Sequence, residues 1–215
     1  MVTEKYKSDF DELVADRNPS IVRNFSYEGE NDIPEHLKYM WSKVGISSWE
    51  GGTFWTCDPA MVWGAIEDSL EEKKLLKASE CVPYAISAFG SVFAWNEMLG
   101  VIRFEFQRGR IISFNNPDNL KKVILPSVFM TPFPFSKEKY DEYNLYDCAT
   151  ANFGPLSEGK IFSFAPSLPL GGAPSESSLI LTDARVHLAF LAQSQVFQIF
   201  HFNSRLYPGG YKQIE

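Results

Sequence analysis

Pro83-Tyr-Ala-Ile-Ser-Ala-Phe89, Val92-Phe-Ala-Trp95, Val101-Ile-Arg-Phe-Glu-Phe106 and Arg110-Ile-Ile-Ser-Phe114 are four β-prone runs in close succession. Gly90-Ser91 separates the first two, and Gln107-Arg108-Gly109 separates the last two. Short runs of aromatic and β-branched residues broken by glycine turns predict an antiparallel meander. Within the third run Ile102, Phe104 and Phe106 alternate with Arg103 and Glu105. That is the pattern of a strand with one apolar and one wet face.

Helical patterns lie upstream. Tyr6, Phe10, Leu13 and Val14 fall at i, i+4, i+7 and i+8, one face of a helix ending near Ala15. Residues 17–31 read as a polar, acidic loop. Asp32, Pro34 and Glu35 have the form of a capped helix start. Leu37, Met40, Trp41 and Val44 form its apolar stripe, and Gly45 ends it. Thr53–Cys57 is a short β-prone run. Asp58-Pro59 then opens a helix with Met61, Val62, Ala65, Ile66 and Leu70 inward and Glu67, Asp68, Glu71 and Glu72 on the wet side. Helices ahead of a meander give an α+β fold, with the helices flanking the sheet.

Downstream, Asn115-Asn-Pro-Asp118 marks a junction. A short helix is expected over 118–125, then an extended, proline-broken run to Pro134. Ser136 is placed to cap a helix carrying Tyr140, Tyr143, Leu145, Ala149 and Phe153, closed at Gly154. Ile161–Phe164 reads as a strand and Leu168–Ser178 as a loop. Asp183 caps a helix with Leu188, Leu191 and Ala192 inward. Gln195–Phe202 fits helix and strand templates equally. The expectation is a smaller, mostly helical C-terminal part packed on the sheet.

With 215 residues and 15% aromatics, the chain can bury a core without disulfides or metal. Cys57, Cys81 and Cys148 are odd in number and far apart, which fits a reducing compartment. No apolar run approaches the ~20 residues needed to cross a bilayer. Met1–Asp16 has no apolar core of a signal peptide, so a cytoplasmic protein without membrane contact is expected. The net charge is −7, and residues 1–115 hold 18 acids against 12 Lys/Arg. Such a balance repels phosphate backbones and argues against direct nucleic-acid binding. The same charge keeps a protein soluble, and it would also draw in a basic partner.

Catalytic chemistry finds little support. His36, His187 and His201 sit in three separate elements, with no metal-type spacing. His187, inside an apolar helical run, reads as a hydrogen-bonded, partly buried histidine. Cys57 beside Asp58 reads as a buried thiol whose neighbouring carboxylate raises its pKa. Gly51-Gly52, Gly171-Gly172 and Gly209-Gly210 are turn glycines, since none belongs to a phosphate-binding motif. No catalytic residue, metal or cofactor is expected. Aromatics interleave with acids in Phe25-Ser-Tyr-Glu-Gly-Glu-Asn-Asp32 and in Tyr140–Asp147. Tyrosine anchors within an acidic rim suit a basic protein partner, while helical spacing also explains the second group as core. The acids of the 59–72 helix read as a solvated face or as a recognition surface.

Two sets of motifs are familiar. Gly45-Ile-Ser-Ser-Trp-Glu-Gly-Gly-Thr-Phe-Trp-Thr-Cys-Asp-Pro59 and Ala88-Phe-Gly-Ser-Val-Phe-Ala-Trp95 resemble the GAD-like domain. Phe153-Gly-Pro-Leu156, Phe162-Ser-Phe-Ala-Pro-Ser-Leu-Pro-Leu-Gly-Gly172 and His187-Leu-Ala-Phe-Leu-Ala-Gln193 resemble the C-terminal domain of bacterial immunity proteins against type VI secreted DNase toxins. The resemblance spans about residues 5–200; residues 126–134 depart from it. It implies a GAD-like α+β domain over 1–115 and an immunity-type domain over 116–215. It also implies a non-enzymatic protein that neutralises a cognate toxin, a basic nuclease, by tight binding. Toxin contact is expected at Tyr27, Glu28, Glu30, Asp32, Glu50, Asp68, Glu71 and Glu72. Two other readings stay open. One is an adaptor or regulator without a toxin partner; the other is an enzyme with a dispersed site involving Cys57 or His187. The name GAD-like points to a domain seen in tRNA-charging enzymes, but the acidity and the lack of a Lys/Arg stripe oppose RNA contact.

Overall fold

The computed structural model describes residues 4–29, 33–114 and 141–215. A nine-stranded sheet runs through the molecule with helices on both faces. Its strands in chain order are β1 (Ser20–Arg23), β2 (Ile46–Trp49), β3 (Phe54–Thr56), β4 (Cys81–Ser87), β5 (Ser91–Asn96), β6 (Gly100–Glu105) and β7 (Arg110–Ser113). β8 (Lys160–Phe164) and β9 (Leu179–Asp183) form a separate antiparallel pair. β10 (Gln198–Phe202) and β11 (Tyr211–Gln213) return to the large sheet, whose order is β1-β2-β3-β4-β5-β6-β7-β10-β11. Neighbours are antiparallel except β7 and β10, which are parallel, with Gln198 opposite Arg110.

The helices among the described residues are α1 (Glu4–Arg17), α2 (Glu35–Val44), α3 (Pro59–Leu70), α4 (Tyr146–Phe153) and α5 (Ala184–Gln193). The alternation of the strands divides the core in two. Val82, Phe93, Trp95 and Val101 point to one face, where α1 and α2 cover them with Phe10, Leu37, Met40 and Trp41. Val92, Ala94, Ile102 and Phe104 point to the other. There they meet α3, α4, α5 and the β8–β9 pair. This is the α+β architecture that the meander predicts, and the four runs at 83–114 become β4–β7. The second core mixes residues of both family-like regions, from Trp55 to Ile199.

Local sequence explains the elements. Asp58 caps α3 through a hydrogen bond from the Ala60 N–H (3.0 Å), with Pro59 in the first turn. Asp183 caps α5 by accepting from the Val186 N–H (3.2 Å). α2 starts differently from the expected cap: Pro34 is its N-cap, without a side-chain hydrogen bond, and Asp32 lies outside the described residues. The expected helices over 118–125 and from Ser136 also fall wholly or partly outside them; α4 begins at Tyr146. Within residues 195–202, which fitted two templates, Gln198–Phe202 form β10.

β1 replaces part of the loop expected over 17–31 and pairs with β2. Gly45 makes this possible. Its backbone, at φ +50 and ψ −134, suits glycine, and a Cβ there would collide with the Arg23 carbonyl oxygen. The close approach lets the chain leaving α2 lie against β1. Thr56 fixes the next strand: its hydroxyl donates to the Gly45 carbonyl (2.8 Å) and accepts from the Ser47 N–H (2.8 Å). Gly45→Val is therefore expected to cost about 2–4 kcal/mol from backbone strain and overpacking. Urea unfolding would measure this, and an unchanged midpoint would show that β1 does not depend on the contact.

Candidate functional site

The segment after β1 folds back over α2. Phe25 meets the buried Trp41 edge-on (centroids 5.1 Å), and Tyr27 stacks flat on the same indole (5.8 Å, 12°). Facing this wall is the start of α3, with Pro59, Ala60 and Trp63. Between them lies an open cleft of about 720 Å³, closed at one side by Ser79. Glu28 and Asp58 supply two carboxylates to its lining, which contains no Lys or Arg among the described residues. Trp63 is half-buried and stands off the apolar stripe of α3.

A polar cleft of about 390 Å³ adjoins it, sharing Asp58 and Ala60. There Arg23 bridges Glu158 (2.9 Å) and Asp58 (3.4 Å), and the Arg185 guanidinium donates to the Ala60 carbonyl (2.9 Å). These contacts tie the end of β1, the start of α3 and the α5 region together.

The expected contact residues do not form one cluster. Tyr27 and Glu28 line the first cleft; Glu30 and Asp32 lie outside the described residues. Glu50 pairs with Arg17 at 3.2 Å, near the end of α1. Asp68 accepts from the Gln193 side chain (2.8 Å), and Glu71 and Glu72 are exposed just past α3. At ~1.5 Å per residue, these three acids lie roughly 8–14 Å along the helix beyond Trp63 in the cleft lining. Carboxylates near a helix C-terminus oppose the helix dipole, and Lys73 and Lys74 follow directly and offset their charge. Trp63 and Phe25 were not among the expected residues. An aromatic on the wet side of an amphipathic helix is the signal that could have identified Trp63.

The groups with potential reactivity are embedded. Cys57 is buried, and burial together with Asp58 drives its thiol pKa far upward. Burial, with Glu80 nearby, pushes Cys81 up to about 12. His187 is half-buried, its pKa lowered by burial, with Nε2 2.6 Å from the Ser163 hydroxyl. That hydroxyl also accepts from the Gln107 amide (2.7 Å) and is fully buried. The Ser–His contact is thus a hydrogen-bond chain joining the turn after β6, β8 and α5, with its serine closed to solvent. His201 contacts the Tyr207 hydroxyl (2.9 Å), and His36 packs against Tyr6 (4.3 Å). Among the described residues, no three His, Cys, Asp or Glu converge as metal ligands.

Fold and surface together define an α+β protein whose solvent-facing features are clefts and a sheet edge. Residues 10–106 match the GAD-like domain family. Residues 135–194 match the family described as T6SS immunity protein Tdi1, C-terminal. The chain is thus similar to a GAD-like domain in its first half and to a Tdi1-type C-terminal domain in its second, and the second family is described as one of type VI secretion immunity proteins. No curated protein matches the chain. The crystal structure of Atu4351 from Agrobacterium tumefaciens is similar in fold, with a TM-score of 0.74 and 20% identity over 96% of each chain. No helix among the described residues is long and apolar enough to cross a membrane.

Proposed function

We propose that this chain is a cytoplasmic immunity protein that binds a cognate type VI secreted toxin and neutralises it without catalysis of its own. The toxin is a DNase with a basic nuclease domain. The observation that carries the reading is the match of residues 135–194 to the Tdi1 C-terminal family, behind a GAD-like domain in the same chain. The net charge of −7 supports it, because a DNA-cleaving enzyme presents cations to phosphate. Nanomolar neutralisation requires about 12 kcal/mol of binding free energy. Complementary charge raises the rate of encounter.

The test is inhibition of plasmid cleavage by the toxin encoded beside this gene. Cleavage should stop near one immunity chain per toxin. Undiminished cleavage at tenfold excess would refute the reading. Toxin contact is assigned to Tyr27, Glu28, Glu30, Asp32, Glu50, Asp68, Glu71 and Glu72. Charge reversal of Glu28, Glu30 and Asp32 to lysine is expected to slow association about tenfold at low salt, with the difference shrinking at high salt. Stopped-flow association rates would report this, and equal rates would remove the 28–32 segment from the interface.

A further inference from the structure

We propose that the open edge of β1 and the cleft beside it form one docking surface for an extended, cation-bearing segment of the toxin. The segment adds to β1 through backbone hydrogen bonds and places a lysine or arginine side chain between Tyr27 and Trp63. This rests on the immunity reading above.

Among the described residues, β1 is the terminal strand of the large sheet and is hydrogen-bonded on one side, to β2. All four of its residues are exposed, Ile21 at 54% and Val22 at 51%. Unpaired strand edges are templates for another chain, and proteins usually guard them with lysine, proline, short length or a bulge. This edge has Pro19 before it, a bulge between Ile21 and Arg23, and only four residues. Those features restrict it to a short pairing. They leave a β-branched apolar pair in water at the centre of the edge, and short strand addition is a common mode of peptide recognition.

The cleft continues this edge. The chain passes from Arg23 directly into the Phe25–Gly29 wall, and the Arg23–Asp58 contact ties the end of β1 to the opposite wall. A segment lying along β1 is thereby directed towards the cleft. The lining selects the charge of the occupant. Tyr27 and Trp63 offer aromatic faces, Glu28 and Asp58 offer carboxylates, and no cation lines the cleft among the described residues. Arg23 already engages Asp58, which leaves Glu28 as the principal counter-charge. Aromatic faces beside a carboxylate hold a lysine or arginine through cation–π attraction and a charge-assisted hydrogen bond. A second cleft, of about 710 Å³ beyond Ser79, lacks this selectivity because Lys74 and Lys77 line it together with Glu80 and Glu97.

The experiment uses the full chain and the toxin encoded beside its gene. Ile21→Lys with Val22→Lys, and separately Trp63→Ala, should each raise the Kd at least tenfold. Leu206→Lys, an equally exposed apolar position near the opposite sheet edge, should leave it unchanged. Hydrogen exchange of residues 20–23 should slow when the wild-type complex forms, a measurement that needs no substitution. Unchanged Kd and unchanged exchange, with wild-type binding intact, would overturn the docking surface and leave the immunity reading standing. Absence of wild-type binding would overturn both. A change in the protein's own sedimentation on substituting Ile21 and Val22 would make the edge a self-association site and also overturn the proposal.

Discussion

Replacing Glu105 by alanine is expected to lower folding stability by about 3 kcal/mol, near the lower end for breaking a buried ion cluster. Glu105 ends β6 with its side chain only 3% exposed. Its carboxylate accepts from the Arg110 Nε (2.8 Å) and Nη2, and it also pairs with Arg103. Arg108 lies at 3.9 Å. The arginines are themselves packed, Arg103 over the Phe114 ring and Arg110 over Tyr211. Removing this carboxylate leaves these guanidiniums crowded together, with Glu142 still near Arg103 and Arg108 as a partial counter-charge. Their side chains keep 23–41% exposure, which places the cost at the lower end. Glu105→Gln keeps the volume and an acceptor oxygen, so a smaller loss is expected. Urea unfolding of both variants checks the order, and a loss below about 1 kcal/mol for alanine would show the cluster to be solvated.

Phe162→Ala is expected to cost about 3–5 kcal/mol, the range for emptying a buried aromatic site. Phe162 is fully buried in β8, with ring centroids 6.1 Å from Phe89 and 5.9 Å from Tyr146. Its N–H donates to the Ala88 carbonyl at 2.8 Å, so the contact also joins the two parts of the chain through the backbone. For a chain of this size the loss corresponds to a melting shift of roughly 6–20 °C. Because Phe162 belongs to the core shared by α3, α5 and the sheet, one transition should move as a whole. Calorimetry resolving two transitions, with only one displaced, would show that the two regions unfold separately.

These residues also mark how far the sequence alone reaches. The meander, the α2 stripe, the Asp58 and Asp183 caps and the Gly154 helix end were legible because each depends on local period or turn chemistry. Arg103 and Glu105 read as a wet strand face, yet Glu105 is buried. Alternation records polarity, and an ion cluster is polar on either side of the surface. β1 was hidden because Ser20–Arg23 sits within a polar segment and gains its pairing from a distant strand through Gly45. β9 was passed over because the loop composition before it masked Leu179-Ile-Leu181. Tyr27 and Glu28 were visible as an aromatic–acid pair. Trp63 joins them only once α3 is set against the 25–29 wall, a tertiary fact that spacing does not carry.

The parallel pairing of β10 with β7 has a consequence for synthesis. Gln198 aligns with Arg110, 88 residues earlier in the chain. At ~5–20 residues per second, the ribosome needs on the order of 4–18 s to deliver that partner. Throughout this interval the nascent meander stands with one flank unfinished and Ile111 and Ile112 short of their final cover. Ribosome-associated holdases have their longest opportunity to engage the polypeptide there, and a prematurely terminated product would emerge with the same flank bare.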